Sequence, residues 1–113
     1  MALLSKTAIL SADDRRYDIV SCPEWGGDVR VRGLTAYEQS YISKLDGDDK
    51  RNEVTIKVLQ FCCVDENGER LFTAEDVRQL QDKSYLVINR LGKRILQLTG
   101  FGTQDEIEEA RKN

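Results

Sequence analysis

Apolar and polar residues recur along this chain in two rhythms, and the rhythm changes near Thr35. Before it, Val29-Arg30-Val31-Arg32 repeats every second residue, as in a strand with one face on a core. Tyr17, Ile19 and Cys22 precede Gly26-Gly27, so residues 15–34 read as an antiparallel hairpin. In that reading both glycines supply positive φ in a two-residue turn, and Arg30 and Arg32 form the wet face. Pro23 lacks an amide donor and suits a strand end. Beyond Thr35 the spacing becomes three and four. Tyr37, Tyr41, Ile42 and Leu45 form one stripe; Val54, Val58, Phe61 and Cys62, widened by Leu59 and Cys63, form another. Val87 or Ile88, then Leu91, Ile95 and Leu98, make the cleanest stripe, with Leu86 and Leu96 beside it and Arg90, Lys93, Arg94 and Gln97 opposite. These predict helices over about residues 36–45, 50–63 and 85–99.

Punctuation agrees with that division. Thr35 stands three residues before Glu38, a capping box. Gly47 offers a C-terminal cap, and the adjoining Asp46, Asp48 and Asp49 lack the ligand alternation and closing glutamate of a calcium loop, so they read as a linker. Asn67-Gly68 between Val64 and Leu71-Phe72 signals a second, miniature hairpin. Thr73, followed by Glu75 and Asp76, starts a short helix carrying Val77 and Leu80. Asp82 or Ser84 caps the last helix, Gly92 inside it is either a tolerated cost of about 1 kcal/mol or a sign of close approach by another backbone, and Gly100 and Gly102 end it.

The expected architecture is α+β, mainly α: an N-terminal antiparallel β-hairpin packed on a bundle of three to four helices. One domain spans 1–113, with a folded core over 15–103 and mobile ends at 1–14 and 104–113. Ala8-Ile9-Leu10 reads as a short strand or a packed tail. The expected core is Ile19, Val29, Val31, Leu34, Tyr41, Leu45, Val58, Leu59, Phe61, Leu71, Val77, Leu91, Ile95 and Leu98.

Composition narrows the function. The chain has 113 residues, a net charge of −3 and no histidine, which removes the commonest general base and metal ligand. Cys22, Cys62 and Cys63 make neither a disulfide framework nor a metal-ligand spacing, and fit free thiols in a reducing compartment. Both charge signs are dispersed, against the basic stripe of a nucleic-acid binder; Arg30, Arg32, Lys93 and Arg94 are the residues such a binder would use. No apolar run approaches the ~20 residues that cross a bilayer. No phosphate loop, dinucleotide fingerprint or nucleophile elbow is present. No catalytic, cofactor-binding or metal residue is therefore assigned, and the expectation is a non-enzymatic, cytosolic binding protein. Trp25 at the hairpin turn, Tyr85 at a helix start and Phe101 between glycines are the candidate partner-binding residues, aromatics being enriched at interfaces.

Cys-Pro-Glu-Trp-Gly-Gly-Asp-Val-Arg-Val-Arg-Gly-Leu-Thr-Ala-Tyr-Glu, residues 22–38, resembles the opening motif of tail assembly chaperones of long-tailed bacteriophages. The order of the later segments also fits: a helix, the segment 64–77, a Leu/Ile-rich helix over 86–98 and an acidic stretch at 106–109. The resemblance covers about residues 15–110; Met1 to Asp14 is not part of the motif. It implies a protein without catalytic residues, made in the host bacterial cytoplasm. Such proteins bind the tape-measure protein, help tail-tube protein polymerise around it, and are absent from the mature virion. It also implies a longer form made by ribosomal frameshifting, for which the end Arg111-Lys112-Asn113 is compatible with an adenine-rich message. Self-association is a further expected contact. The alternative is a structural head–tail joining or tail-completion protein retained in the virion.

Overall fold

The computed structural model describes residues 3–45 and 51–101. The elements run α1 (Lys6–Ser11), β1 (Tyr17–Cys22), a 3-10 turn (Pro23–Trp25), β2 (Gly27–Arg32), α2 (Ala36–Ser43), α3 (Arg51–Cys62), β3 (Cys63–Val64), a second 3-10 turn (Ala74–Asp76), α4 (Val77–Gln81) and α5 (Tyr85–Thr99). The three strands form one antiparallel sheet in the order β1-β2-β3, beside the helices, so the fold is α+β and mainly α as expected. The proposed linker around Gly47 and the acidic stretch 104–113 lie outside the described residues.

The hairpin is present, but its turn and register differ from the expectation. Cys22 pairs with Gly27, and four residues close the loop. Pro23 opens the 3-10 turn, and Gly26 alone takes positive φ, at 85°. The inward face of β1 carries Val20 and Cys22, opposite Val29 and Gly27, whereas Ile19 is 62% exposed. Register explains the correction: side chains alternate, so with Cys22 inward Ile19 must face out.

Arg30 and Arg32 do not form a wet face. Arg30 donates to the carbonyls of Asp65 and Glu66, at 3.1 and 3.3 Å, and stacks 4.2 Å from the Tyr17 ring centre. Arg32 is buried and makes two hydrogen bonds to Glu38, at 2.8 and 2.9 Å. β2 is thus covered on both faces. Val31 meets the helical core on one side, while α2 and the 65–70 turn close over the arginines on the other.

α2 begins at the predicted capping box. The Glu38 amide donates to the Thr35 hydroxyl at 3.2 Å, and the Thr35 amide to Glu38 Oε1 at 2.9 Å. The predicted aromatic stripe is not its buried face. Glu38 and Ile42 point inward, four residues apart, leaving Tyr37 exposed and Tyr41 only edge-on to Phe61 at 5.6 Å. Thr35→Ala is expected to lower stability by about 1 kcal/mol, the usual cost of a lost N-cap. A urea midpoint indistinguishable from that of the parent would contradict the capping role.

α3 is the central helix and buries Ile56, Val58, Leu59, Phe61 and Cys62. The chain then enters β3, the first strand of the expected miniature hairpin, whose pairing with β2 the sequence pattern did not reveal, and turns at Gly68, where φ is 82°. The miniature hairpin forms, with Val64 bridged to Arg70 and the Leu71 amide donating to the Cys63 carbonyl. Arg70 takes the inward place, over Phe61 and bonded to Glu38, so Leu71 faces solvent rather than the core. Thr73 caps the following turn together with Asp76.

α5 spans the predicted residues and buries Val87, Ile88, Leu91, Gly92, Ile95 and Leu98. A Cβ at Gly92 would lie 3.0 Å from the Thr55 methyl, so the close approach is to a side chain of α3 and not to its backbone. Gly33 makes the backbone contact instead: a Cβ there would lie 2.9 Å from the Leu98 carbonyl oxygen. Gly100, at φ 118°, ends the helix as its amide donates to Gln97 and the Phe101 amide to Leu96, the Schellman arrangement.

Candidate partner-binding surface

The hairpin is fastened to α5 by charge. Arg90 makes two bonds to Glu24, at 2.9 and 2.7 Å, and a third to the Ser21 carbonyl. Arg94 Nε donates to Asp18 at 2.7 Å. These arginines were expected on the solvent side of the helix; they face β1. Hydrogen bonding to Arg90 holds the Glu24 carboxyl down at about 2. Arg94 and the Ile19 amide likewise lower that of Asp18. Of the four cations considered for nucleic acid, Lys93 alone has no ion pair or internal hydrogen bond among the described residues.

The same contacts close the outer edge of the sheet. The Gly33 amide donates to the Arg16 carbonyl, so the alternation of an antiparallel ladder turns the main-chain groups of Tyr17, Ile19 and Ser21 away from β2. Asp18 Oδ1 accepts from the Ile19 amide, and Arg90 occupies the Ser21 carbonyl. An edge engaged in this way is a poor template for an added strand.

The three predicted aromatics do not converge. Trp25 sits at the hairpin tip, about one-third exposed, in the turn that Glu24 anchors to Arg90. Tyr85 is the first residue of α5 and is 71% exposed, on the rim of a cleft of about 360 Å³ floored by Ile56, Leu80 and Ile88. Phe101, half exposed, lies just past the other end of that helix. Sixteen residues separate Tyr85 from Phe101, roughly 24 Å along a helix.

The largest exposed aliphatic group lies where no contact residue was predicted. α1 is a formed helix with Ser5 as N-cap, its hydroxyl accepting from the Ala8 amide at 3.1 Å, and it buries none of its residues. Leu3 is 96% exposed and Leu10 75%, with Leu4 and Ile9 also open. A sequence signal for it exists: Leu4 and Ile9 occupy the N′ and N4 positions of a hydrophobic staple around the Ser5 cap. Between α1 and the body lies a cleft of about 620 Å³, bordered by residues 11–16, Gly33–Ala36, Leu98 and Thr99.

Burial raises the Cys22 thiol and pushes those of Cys62 and Cys63 up to about 12, so all three serve as small apolar groups in the core. Among the described residues no group of three or more Cys, Asp or Glu is placed to hold a metal ion. No helix among them is long and apolar enough to cross a membrane.

Compared with solved structures, the chain matches the tail assembly chaperone of bacteriophage HK97. The TM-score is 0.62, and the match covers 83% of this chain and 92% of the other at 19% identity. The chain has the tail assembly chaperone fold. No family model matches the chain. No curated protein matches either. In this chain, paired charges hold the framework together, and the exposed aliphatics include Leu3, Leu4, Ile9 and Leu10 at the N-terminal segment and Leu86 near the start of α5, besides Ile19, Leu71 and Leu96 elsewhere.

Proposed function

We propose that this chain is a non-enzymatic tail assembly chaperone. It binds the tape-measure protein and promotes polymerisation of tail-tube protein in the host cytoplasm, and it leaves before the virion is complete. The observation that carries this reading is the N-terminal segment, in which Leu3 and Leu4 just before the preformed helix α1 and Ile9 and Leu10 on it are all exposed, on a chaperone fold. An exposed aliphatic cluster of that kind marks an interaction site, and a long helical partner with apolar stretches is what it suits. A longer frameshifted product extends the same reading, with the domain contacting tube subunits and the extension gripping the tape-measure protein.

Co-expression with the tape-measure gene of the same genome tests it. The chain is expected to keep that protein soluble and to co-purify with it. Leu3→Glu combined with Leu10→Glu is expected to abolish co-purification while leaving circular dichroism unchanged, since neither side chain is buried. Recovery of the chain in purified mature virions, near stoichiometric with tail rings, would overturn the reading in favour of a joining protein. For the two-form expectation, an immunoblot of the native gene with its downstream DNA should show a second, longer band. Synonymous recoding near codons 111–113 should remove it.

A further inference from the structure

The cleft at the start of α5 has a specific chemistry. Its floor is aliphatic, made by Ile56, Leu80 and Ile88, each almost fully buried and so fixed in place. Its rim carries Arg78 and Lys83, both reaching solvent, neither with an ion pair or side-chain hydrogen bond among the described residues. Among the described residues Asp82 is the only acidic one lining it, and Tyr85 stands at its edge. Such a site fits a short segment with one branched aliphatic flanked by carboxylates.

This chain contains that segment. Residues 105–109 read Asp-Glu-Ile-Glu-Glu, one isoleucine with two acids on either side, and they lie outside the described residues. We propose that the cleft receives residues 105–109 of a second copy of the chain, with Ile107 on the aliphatic floor and the flanking acids beside Arg78 and Lys83. Length decides between the same copy and another. Ile107 is six residues beyond Phe101, a reach of at most about 20 Å even fully extended. Ile88 lies thirteen residues back along the helix from Phe101, also about 20 Å. The segment would have to reverse direction and lie fully stretched along its own helix, with no slack to insert the side chain. A neighbouring copy meets no such limit. Donor end and acceptor cleft are different surfaces, so the contact is heterologous and each copy can both give and receive.

This contact does not depend on the tape-measure reading, and its test uses the full-length chain alone. Sedimentation velocity at low salt should show concentration-dependent association that weakens at high salt. Ile107→Lys should weaken association more than about tenfold, as loss of a central anchor does. Arg78→Glu with Lys83→Glu should do the same; Arg78 and Lys83 are exposed, and both variants should keep the parent's circular dichroism. The deciding sample is the mixture. The Ile107 variant retains an intact cleft and the arginine–lysine variant an intact segment, so together they should form a one-to-one complex and nothing larger. A mixture that stays monomeric would overturn the proposal. So would an Ile107→Lys chain that associates like the parent, or a parent that is monomeric at every concentration.

Discussion

Arg32→Met is expected to remove about 3 kcal/mol of stability, the low end of the cost when one partner of a buried ion pair is deleted. Arg32 and Glu38 have side-chain exposures of 5% and 3%, so the carboxylate left behind cannot recover water. The low end applies because Arg70 still reaches Glu38 Oε2 and the Thr35 amide still donates to Oε1. Adding Glu38→Leu to Arg32→Met should restore most of the loss, since replacing both partners by apolar groups is often neutral. Urea unfolding of the parent, the single and the double variant measures this. A double variant less stable than the single would refute the account. The pair also sets the acid limit. Burial alone would raise the Glu38 carboxyl, but the bonds from Arg32, the Thr35 amide and Arg70 outweigh it and hold it at about 2, below the ordinary 4.5. Its contribution is therefore complete above pH 4.5 and is lost as pH falls from there towards 2. In Arg32→Met the carboxyl titrates higher, and the acid transition should move to higher pH.

Gly33→Ala is the second large effect expected, a loss of about 3 kcal/mol, the upper end of what overpacking usually costs. The added methyl would meet the Leu98 carbonyl oxygen at 2.9 Å, its carbon at 3.0 Å and the Thr99 nitrogen at 3.1 Å. All three are main-chain atoms, so no side chain can swing away. Separation of strand and helix would also strain the 2.9 Å bond from the Leu34 amide to the Thr99 hydroxyl. Gly27→Ala is the control, because its Cβ would meet nothing within 4 Å. If the two alanine variants melt at the same temperature, the close approach at Gly33 has no energetic weight.

How much of this was legible in the sequence depends on the kind of signal. Local chemistry was readable: the Thr35 and Thr73 caps, the Asn67-Gly68 turn and the span and apolar stripe of α5 appear as expected, because each is decided within a few residues, although Ser84 begins α5 without a side-chain cap bond. What failed required knowing what covers a face. A charged residue in strand alternation with valines reads as solvent-facing unless a carboxylate six positions on is known to fold back onto it, as Glu38 does onto Arg32. Once Glu38 occupies the inward position of α2, Tyr37 and Tyr41 are displaced outward, and Arg70 displaces Leu71 in the same way. Periodicity counts hydrophobic residues and is blind to paired charges. Of the contact aromatics, Tyr85 is exposed at a helix start as expected, and the cleft beside it was not foreseen; α1 escaped notice because six residues are too few for a stripe to show.

The lock between hairpin and last helix also sets a timetable. Asp18 waits for Arg94, 76 residues downstream, and Leu34 for Thr99, 65 residues on. On a ribosome adding ~5–20 residues each second, the finished hairpin emerges several seconds before the helix that covers it. Through that interval Val20, Cys22, Val29 and Val31 have no α5 to pack against, and the clamps on Ser21 and Asp18 have not yet been synthesised. The nascent chain is therefore at its stickiest while half made, and anything that slows elongation before codon 99 lengthens the exposure.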